Sequence, residues 1–222
     1  MSFLVKICGI TRPEDAELAC RSGAGAIGLN FWRGSKRFVE EGQAREILSA
    51  VAPGVLKVGV FVNPHPLTVS ESIADLGIDV VQFHGDEAPQ AWSSLAGNQI
   101  IRAIRVFDES SLASATGWNP RFFLYDSASA GYGGSGAQAP WNVVAAGARR
   151  PFLLAGGLGP HNVAAAIQTA RPDGVDVASG VESKPGVKSK DKLVAFIDSA
   201  KQAAAKLAQP AASRVLELPS TK

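Results

Sequence analysis

Eight apolar stretches alternate along this chain with segments of helical or turn-like sequence. They fall at residues 3–10, 26–32, 56–62, 80–84, 99–106, 122–126, 151–158 and 174–180. A strand followed by a helix, repeated every ~20–30 residues, implies a parallel sheet whose faces are covered by helices. Eight such units favour closure into a single (β/α)8 TIM barrel over an open, doubly wound sheet. With 222 residues the chain is long enough for one barrel with a large core and too short for two. Residues 1–208 account for the barrel. Residues 209–222 lie beyond the eighth unit and read as a C-terminal appendage, expected to be flexible.

The connecting segments carry local signals. Thr11 and Glu14 are spaced as a capping box, with Thr11 as N-cap and Pro13 in the first turn of a helix. Helices are expected at about 42–51, 67–76 (ended by Gly77), 88–95, 110–116, 141–146 and 190–207. Residues 131–136 hold too much glycine for either regular element. At 151–158 an apolar strand runs into Gly156-Gly157, and Pro160 suits the first turn of the helix that follows. A strand, a glycine pair and a helix N-terminus together make a seat for phosphate, because unpaired N–H groups and the helix dipole both face the anion. A second unit of this type follows at 174–180. Two in tandem at the end of a βα chain match the place where barrels commonly bind phosphate.

A net charge of +2, with 19% charged residues and no basic stripe, gives no sign of a nucleic-acid or membrane partner. Anion binding must then come from local donors. No signal-peptide-like segment opens the chain and no apolar run reaches ~18 residues. Nothing beyond the pair Cys8 and Cys20 suggests disulfide chemistry, so a cytoplasmic protein is the expectation.

In a parallel barrel the C-terminal ends of all strands open on one face, so polar residues there converge whatever their separation in sequence. Cys8 ends the first strand, and Arg37 lies in the loop after the second. Gln82 and His84 are on the fourth, Asp126 is on the sixth and Asp176 on the eighth. Taken singly, each has a structural explanation: a buried small residue, a turn cap, a satisfied strand-end histidine, a solvated charge. Their shared position makes a site. A thiol and a carboxyl group across one pocket can act as base and acid. Cys8 would need its pKa lowered from ~8.5, and Asp126 its own raised from ~3.9.

Several motifs make the pattern specific. KICGIT (6–11), SKR (35–37), VQFHG (81–85), YD (125–126), GGSG (133–136), LAGGL (154–158) and DVASGVE (176–182) occur in an order that resembles the phosphoribosylanthranilate isomerases. The resemblance spans about residues 5–200. It implies a (β/α)8 barrel of tryptophan biosynthesis that uses no metal and no organic cofactor. The implied reaction is an Amadori rearrangement of a small molecule, N-(5-phosphoribosyl)anthranilate, by a monomer or homodimer. By the same resemblance Cys8 aligns with the general base, Asp126 with the general acid and Arg37 with the ligand of the anthranilate carboxylate. Gln82, His84 and Asp176 would contact substrate, while Gly156, Gly157, Ser179 and Gly180 would hold its phosphate. Gly134 would belong to a loop over the pocket. Two positions depart from the family's usual pattern: Ala178 where serine is common, and Ser189 where aspartate often follows PGVK (185–188). Serine remains a good N-cap for the last helix.

Two other functions fit the same barrel. A metal-dependent sugar-phosphate epimerase would need several His and carboxylate ligands at strand ends, whereas only His84 of the three histidines sits at one. A non-catalytic phosphate-binding module would account for the glycines and leave Cys8 and Asp126 as coincidences.

Overall fold

The structure, a computed structural model, describes residues 3–127 and 140–208. Eight parallel strands close on themselves in sequential order: β1 (Leu4–Cys8), β2 (Ala26–Asn30), β3 (Leu56–Phe61), β4 (Val80–Phe83), β5 (Ile100–Val106), β6 (Phe122–Ser127), β7 (Phe152–Leu154) and β8 (Gly174–Val177). β1 pairs with both β2 and β8, which completes the barrel. The outer layer carries α1 (Pro13–Arg21), α2 (Glu41–Ser49), α3 (Pro66–Leu76), α4 (Trp141–Gly147), α5 (Val163–Ala170) and α6 (Lys190–Ala208). A short antiparallel hairpin, β9 (Glu182–Lys184) with β10 (Val187–Lys188), follows β8. The expected appendage at 209–222 and the glycine-rich stretch at 131–136 lie outside the described residues.

The strand alternation sorts side chains between two cores. Ala26, Val58, Ile101, Leu124 and Leu153 face the lumen, in a small apolar cluster. Their neighbours Ile27, Val81, Tyr125 and Leu154 face outward, into the larger layer between strands and helices. Strand side chains point alternately to the two faces of a sheet. Lys6 and Cys8 on β1 therefore share the lumen, and so do Gln82 on β4, Asp126 on β6 and Asp176 on β8.

The connections differ from the sequence expectation in four places. The first helix begins at Pro13 with Arg12 in the N-cap position, and no side chain caps it. Thr11 is not the cap, because its hydroxyl donates to the Gly186 carbonyl in the β9–β10 turn (2.5 Å). Arg12 instead binds Asp15 through two N–H groups (3.1 and 2.7 Å). Residues 88–95 form only one 3₁₀ turn, Pro89–Trp92, whose Trp92 packs on Phe83 with ring centroids 4.3 Å apart. A segment this short forms little helix on its own, and docking one indole fixes it without further turns. Residues 109–115 likewise form a 3₁₀ helix with Asp108 as capping box; Ala115 is its one buried residue, so it offers no apolar stripe to stabilise an α-helix. Pro160 precedes α5 instead of starting it. Asn162 accepts from Gly159 N (2.8 Å) and donates to Gly157 O (2.9 Å), which holds residues 157–161 as a turn. The ends of α3, with Gly77 at φ 64°, and of α6 match expectation closely.

Beside β3, β4 and β5 one buried carboxylate ties two loops to a strand. Glu87 accepts from Asn63 N (2.8 Å), from Gly85 N (3.0 Å) and from Arg102 Nη1 (2.5 Å). Arg102 also donates to Gly85 O (3.1 Å) and lies over the Trp118 ring at 5.0 Å. Both partners are almost wholly buried. Removing one charge of such a pair strands the other in a poorly solvating interior. Glu87→Gln should therefore cost about 3–5 kcal/mol in urea unfolding. Glu41→Gln, which breaks the exposed pair with Arg45, should cost less than about 1 kcal/mol. Equal losses in the two variants would show that the buried pair has no special weight.

Candidate active site

The strand ends open into a cavity of about 610 Å³, walled in part by Cys8, Arg37, Gln82, His84, Asp126 and Asp176. A narrow crevice of about 50 Å³ adjoins it, formed by Gly156, Gly157 and Ser179 together with Asp126 and Asp176. The two carboxylates are thus shared walls. Cys8 and Asp126 stand on strands β1 and β6, with β7 and β8 between them along the shorter arc of the barrel.

The register of the strands builds the thiol's surroundings. Lys6 is the Cα partner of Asp176, and Cys8 is the partner of Gly28. Lys6 is fully buried, with its Nζ 2.6 Å from Asp176 Oδ1. A Cβ at Gly28 would come within 2.8 Å of Cys8 Sγ and 3.1 Å of Lys6 Nζ, so the missing side chain leaves room for both. Burial pushes the Cys8 thiol above its ordinary range; the Lys6 ammonium works against that, and the Asp176 carboxylate adds to it. Burial would lower Lys6, yet Asp176 and Cys8 hold its ammonium above the ordinary lysine range.

A second charged cluster lies on the β2–α2 side. Arg37 gives Nε and Nη2 to the two oxygens of Glu182 (2.8 and 2.7 Å). Lys188 Nζ donates to the same carboxylate (2.9 Å), to Cys8 O (2.7 Å) and to Ala178 O (3.1 Å). Gly9, at φ 68°, permits this because a Cβ there would overlap the Arg37 side chain. Burial pushes Glu182 up, but Arg37 and Lys188 outweigh it and hold the carboxyl below its usual range. Burial pulls Lys188 down, against the attraction of Glu182.

On β4, Gln82 Nε2 stands 3.0 Å from His84 Nδ1. With the amide as donor, the ring hydrogen belongs on Nε2. That nitrogen is 3.4 Å from Asp126 Oδ2 but not aligned as a hydrogen bond. Gln82 Oε1 is buried with no partner. At the crevice, Gly156 and Gly157 adopt φ values of 84° and 62°, and a Cβ at Gly156 would collide with Ser127 N. Neither glycine donates its N–H to another backbone group among the described residues. At Gly180, in the loop after β8, a Cβ would overlap the Leu158 carbonyl, so its lack of a side chain lets the loops after β7 and β8 touch.

The structure thus brings Cys8, Arg37, Gln82, His84, Asp126, Asp176, Gly156, Gly157 and Ser179 to one opening. Gly180 braces the crevice from behind. Gly134 lies outside the described residues. Sequence reasoning passed over Lys6, Glu182 and Lys188. Lys6 was marked by its position two residues before Cys8 on the same strand face. Glu182 and Lys188 gave no comparable signal, because they meet Arg37 through a hairpin that short polar strands do not announce.

Comparison with known proteins agrees with this arrangement. The family model described as N-(5'phosphoribosyl)anthranilate (PRA) isomerase matches residues 5–199. The N-(5'-phosphoribosyl)anthranilate isomerase of Myxococcus xanthus is 42% identical over 207 residues, covering 90% of this chain and 97% of that protein. The crystal structure of phosphoribosyl anthranilate isomerase from Thermotoga maritima superposes with a TM-score of 0.83 at 37% identity, covering 90% of this chain and 99% of that one. A crystal structure of a phosphoribosyl anthranilate isomerase in complex with reduced 1-(o-carboxyphenylamino)-1-deoxyribulose 5-phosphate gives a TM-score of 0.78 at 34% identity with the same coverage. The closed barrel, the paired glycines at its seventh strand and the match over nearly all of the barrel place this chain in the N-(5'-phosphoribosyl)anthranilate isomerase family.

Proposed function

We propose that this protein converts N-(5-phosphoribosyl)anthranilate to 1-(2-carboxyphenylamino)-1-deoxyribulose 5-phosphate in L-tryptophan biosynthesis, with Cys8 as general base and Asp126 as general acid. The observation that carries the assignment of roles is the placement of Cys8 and Asp126 on separate walls of one cavity that runs into an anion-sized crevice. The relative that holds a carboxyphenylamino sugar phosphate supports a substrate of that shape.

The substrate's two anionic ends fit the two ends of the opening. Its phosphate enters the crevice, where Gly156, Gly157 and Ser179 offer backbone N–H groups without side chains in the way. Its anthranilate carboxylate meets Arg37. The Nε–Nη2 edge of that guanidinium is already held by Glu182, so the carboxylate takes the remaining Nη1–Nη2 edge, still with two N–H groups. The Glu182 pair fixes the fork in advance, which lowers the entropy lost on binding.

Bound in this way, the ribose lies between acid and base. Asp126 protonates the furanose ring oxygen; the C1–O bond breaks as the nitrogen lone pair forms an iminium. The Cys8 thiolate then takes the proton from C2. The electron pair of that C–H bond becomes the C1–C2 double bond, and the nitrogen regains its lone pair. The resulting enolamine tautomerises to the ketone. Gln82 Oε1, buried and unpaired, offers an acceptor for a substrate O–H or N–H.

Proton transfer by a positioned group is worth about 10²–10⁴-fold, so Cys8→Ser and Asp126→Asn should each lower kcat by that order while the barrel keeps its circular dichroism. Arg37→Ala should act mainly on KM, by about 10- to 150-fold, the worth of a hydrogen bond to a charged group. Cys20→Ser, on α1 outside the site, should leave kcat unchanged. Loss of anthranilate fluorescence follows turnover in each case. A Cys8→Ser enzyme with wild-type kcat would remove Cys8 from the mechanism.

Each step above moves a proton and none moves an electron pair to an outside acceptor. Turnover should therefore survive exhaustive dialysis against a chelator with no nucleotide added. Inorganic phosphate should compete weakly with substrate, through the crevice. Activity lost to the chelator and restored by one divalent metal would favour the epimerase alternative instead.

A further inference from the structure

A base that burial holds as a thiol needs a counter-charge before it can take a proton, and the site contains a cation with no part in the steps above. Four charged side chains bear on the sulfur: Lys6 on β1, Asp176 on β8, Lys188 on β10 and Arg37 after β2. Two of the cations are bound to a different carboxylate. Arg37 and Lys188 are both bound to Glu182, and Lys188 is further held by the carbonyls of Cys8 and Ala178. Asp176 carries the wrong sign. Lys6 combines a full charge and complete burial with a place two residues before Cys8 on the same face of β1. It approaches the sulfur over Gly28, where any side chain would crowd both groups.

We propose that Lys6 is a positioning residue for the base: its ammonium, moored to Asp176, stands beside Cys8 as the counter-ion of the thiolate that abstracts the C2 proton. Asp176 has two opposed effects. It anchors Lys6 in the lumen, and it cancels much of the field that Lys6 would otherwise place on the sulfur. The proton taken from C2 ends on Cys8, and Lys6 keeps its own throughout. The proposal builds on the assignment of Cys8 as base, but it concerns the ionisation of the thiol, which can be read without substrate.

The two partners should therefore shift that ionisation in opposite directions. In a Cys20→Ser background, iodoacetamide alkylation of Cys8 followed by mass spectrometry from pH 7 to 10.5 gives the midpoint of thiolate formation. Lys6→Met should raise this midpoint by a unit or more, since it removes a buried cation from the sulfur's side of the lumen. Asp176→Asn should lower it by a unit or more, since it removes a repelling charge and frees Lys6. A purely structural role for the pair would leave both midpoints in place or move them in the same direction. Lys6→Met leaves a buried carboxylate unpaired and risks misfolding. If circular dichroism shows that it has, the Asp176→Asn arm decides alone, and an unchanged or raised midpoint overturns the proposal. Wild-type kcat/KM for phosphoribosylanthranilate is measured alongside. No turnover with a midpoint that shifts as expected would sink the isomerase reading and leave Lys6 as the thiolate's partner; turnover with fixed midpoints would do the reverse.

Discussion

Closing eight parallel strands on themselves forces every second side chain of each strand into one lumen, and everything functional in this protein depends on that. The lower part of the lumen is filled by Ala26, Val58, Ile101, Leu124 and Leu153. The same alternation, carried two residues further along each strand, delivers polar groups to the C-terminal mouth. On β6 the sequence moves from Leu124 to Asp126, on β4 from Val80 to Gln82 and on β1 from Lys6 to Cys8. Strand register then decides who meets whom. Lys6 faces Asp176 because their Cα atoms are paired across β1 and β8, and Cys8 faces a glycine for the same reason. A one-residue slip would turn these side chains into the apolar layer beneath the helices.

Among the described residues, three buried groups of paired charges have different tasks. The Glu87–Arg102 pair holds loop backbone: its carboxylate ties the starts of two loops, and it lies away from the cavity walls. The Arg37–Glu182–Lys188 cluster holds a guanidinium in place and closes the β9–β10 hairpin onto the first βα loop, where Thr11 and Asp15 also grip the hairpin backbone. The Lys6–Asp176 pair lies in the lumen, on the strand face that carries the thiol. Buried pairs are costly to desolvate and are weak evidence for stability in themselves. The backbone hydrogen bonds made by the first two show what they give in return, which is geometry.

Most of this architecture was legible in the residues. Eight apolar stretches with short polar breaks gave the barrel, since strands buried on both faces have no other composition to adopt. Strand-end chemistry followed from parallel topology without any knowledge of packing. What the residues concealed were features decided by partners distant in sequence. Thr11 has the spacing of an N-cap, but an acceptor at Gly186 claims its hydroxyl. Pro160 has the spacing of a first helical residue, but Asn162 ties the preceding backbone into a turn. Residues 88–95 and 109–115 have helical composition, but they pack through single residues and tighten into 3₁₀ turns. Glu182 and Lys188 escaped notice because their importance comes from Arg37, about 145 residues away, and from a two-stranded hairpin with no hydrophobic pattern.

The charge balance of the mouth follows from the substrate it is proposed to take. The whole chain carries only +2, so no long-range field draws a multiply charged anion inward. Attraction has to be local, and the charged groups are arranged to supply it in two places. Arg37 and Lys188 against one Glu182 leave a surplus positive charge at the end where a carboxylate is to sit. The crevice at the other end offers backbone dipoles and no cationic side chain, which suits a phosphate that must be released with the product. Between the two, the charges of Lys6 and Asp176 oppose each other. In the proposed reaction, formation of a thiolate beside Lys6 would change that balance, and uptake of the C2 proton would restore it. A neutral pair that becomes polarised only when the base is charged stabilises the ionised site more than the resting one, and interactions of that kind raise kcat where uniform binding would not.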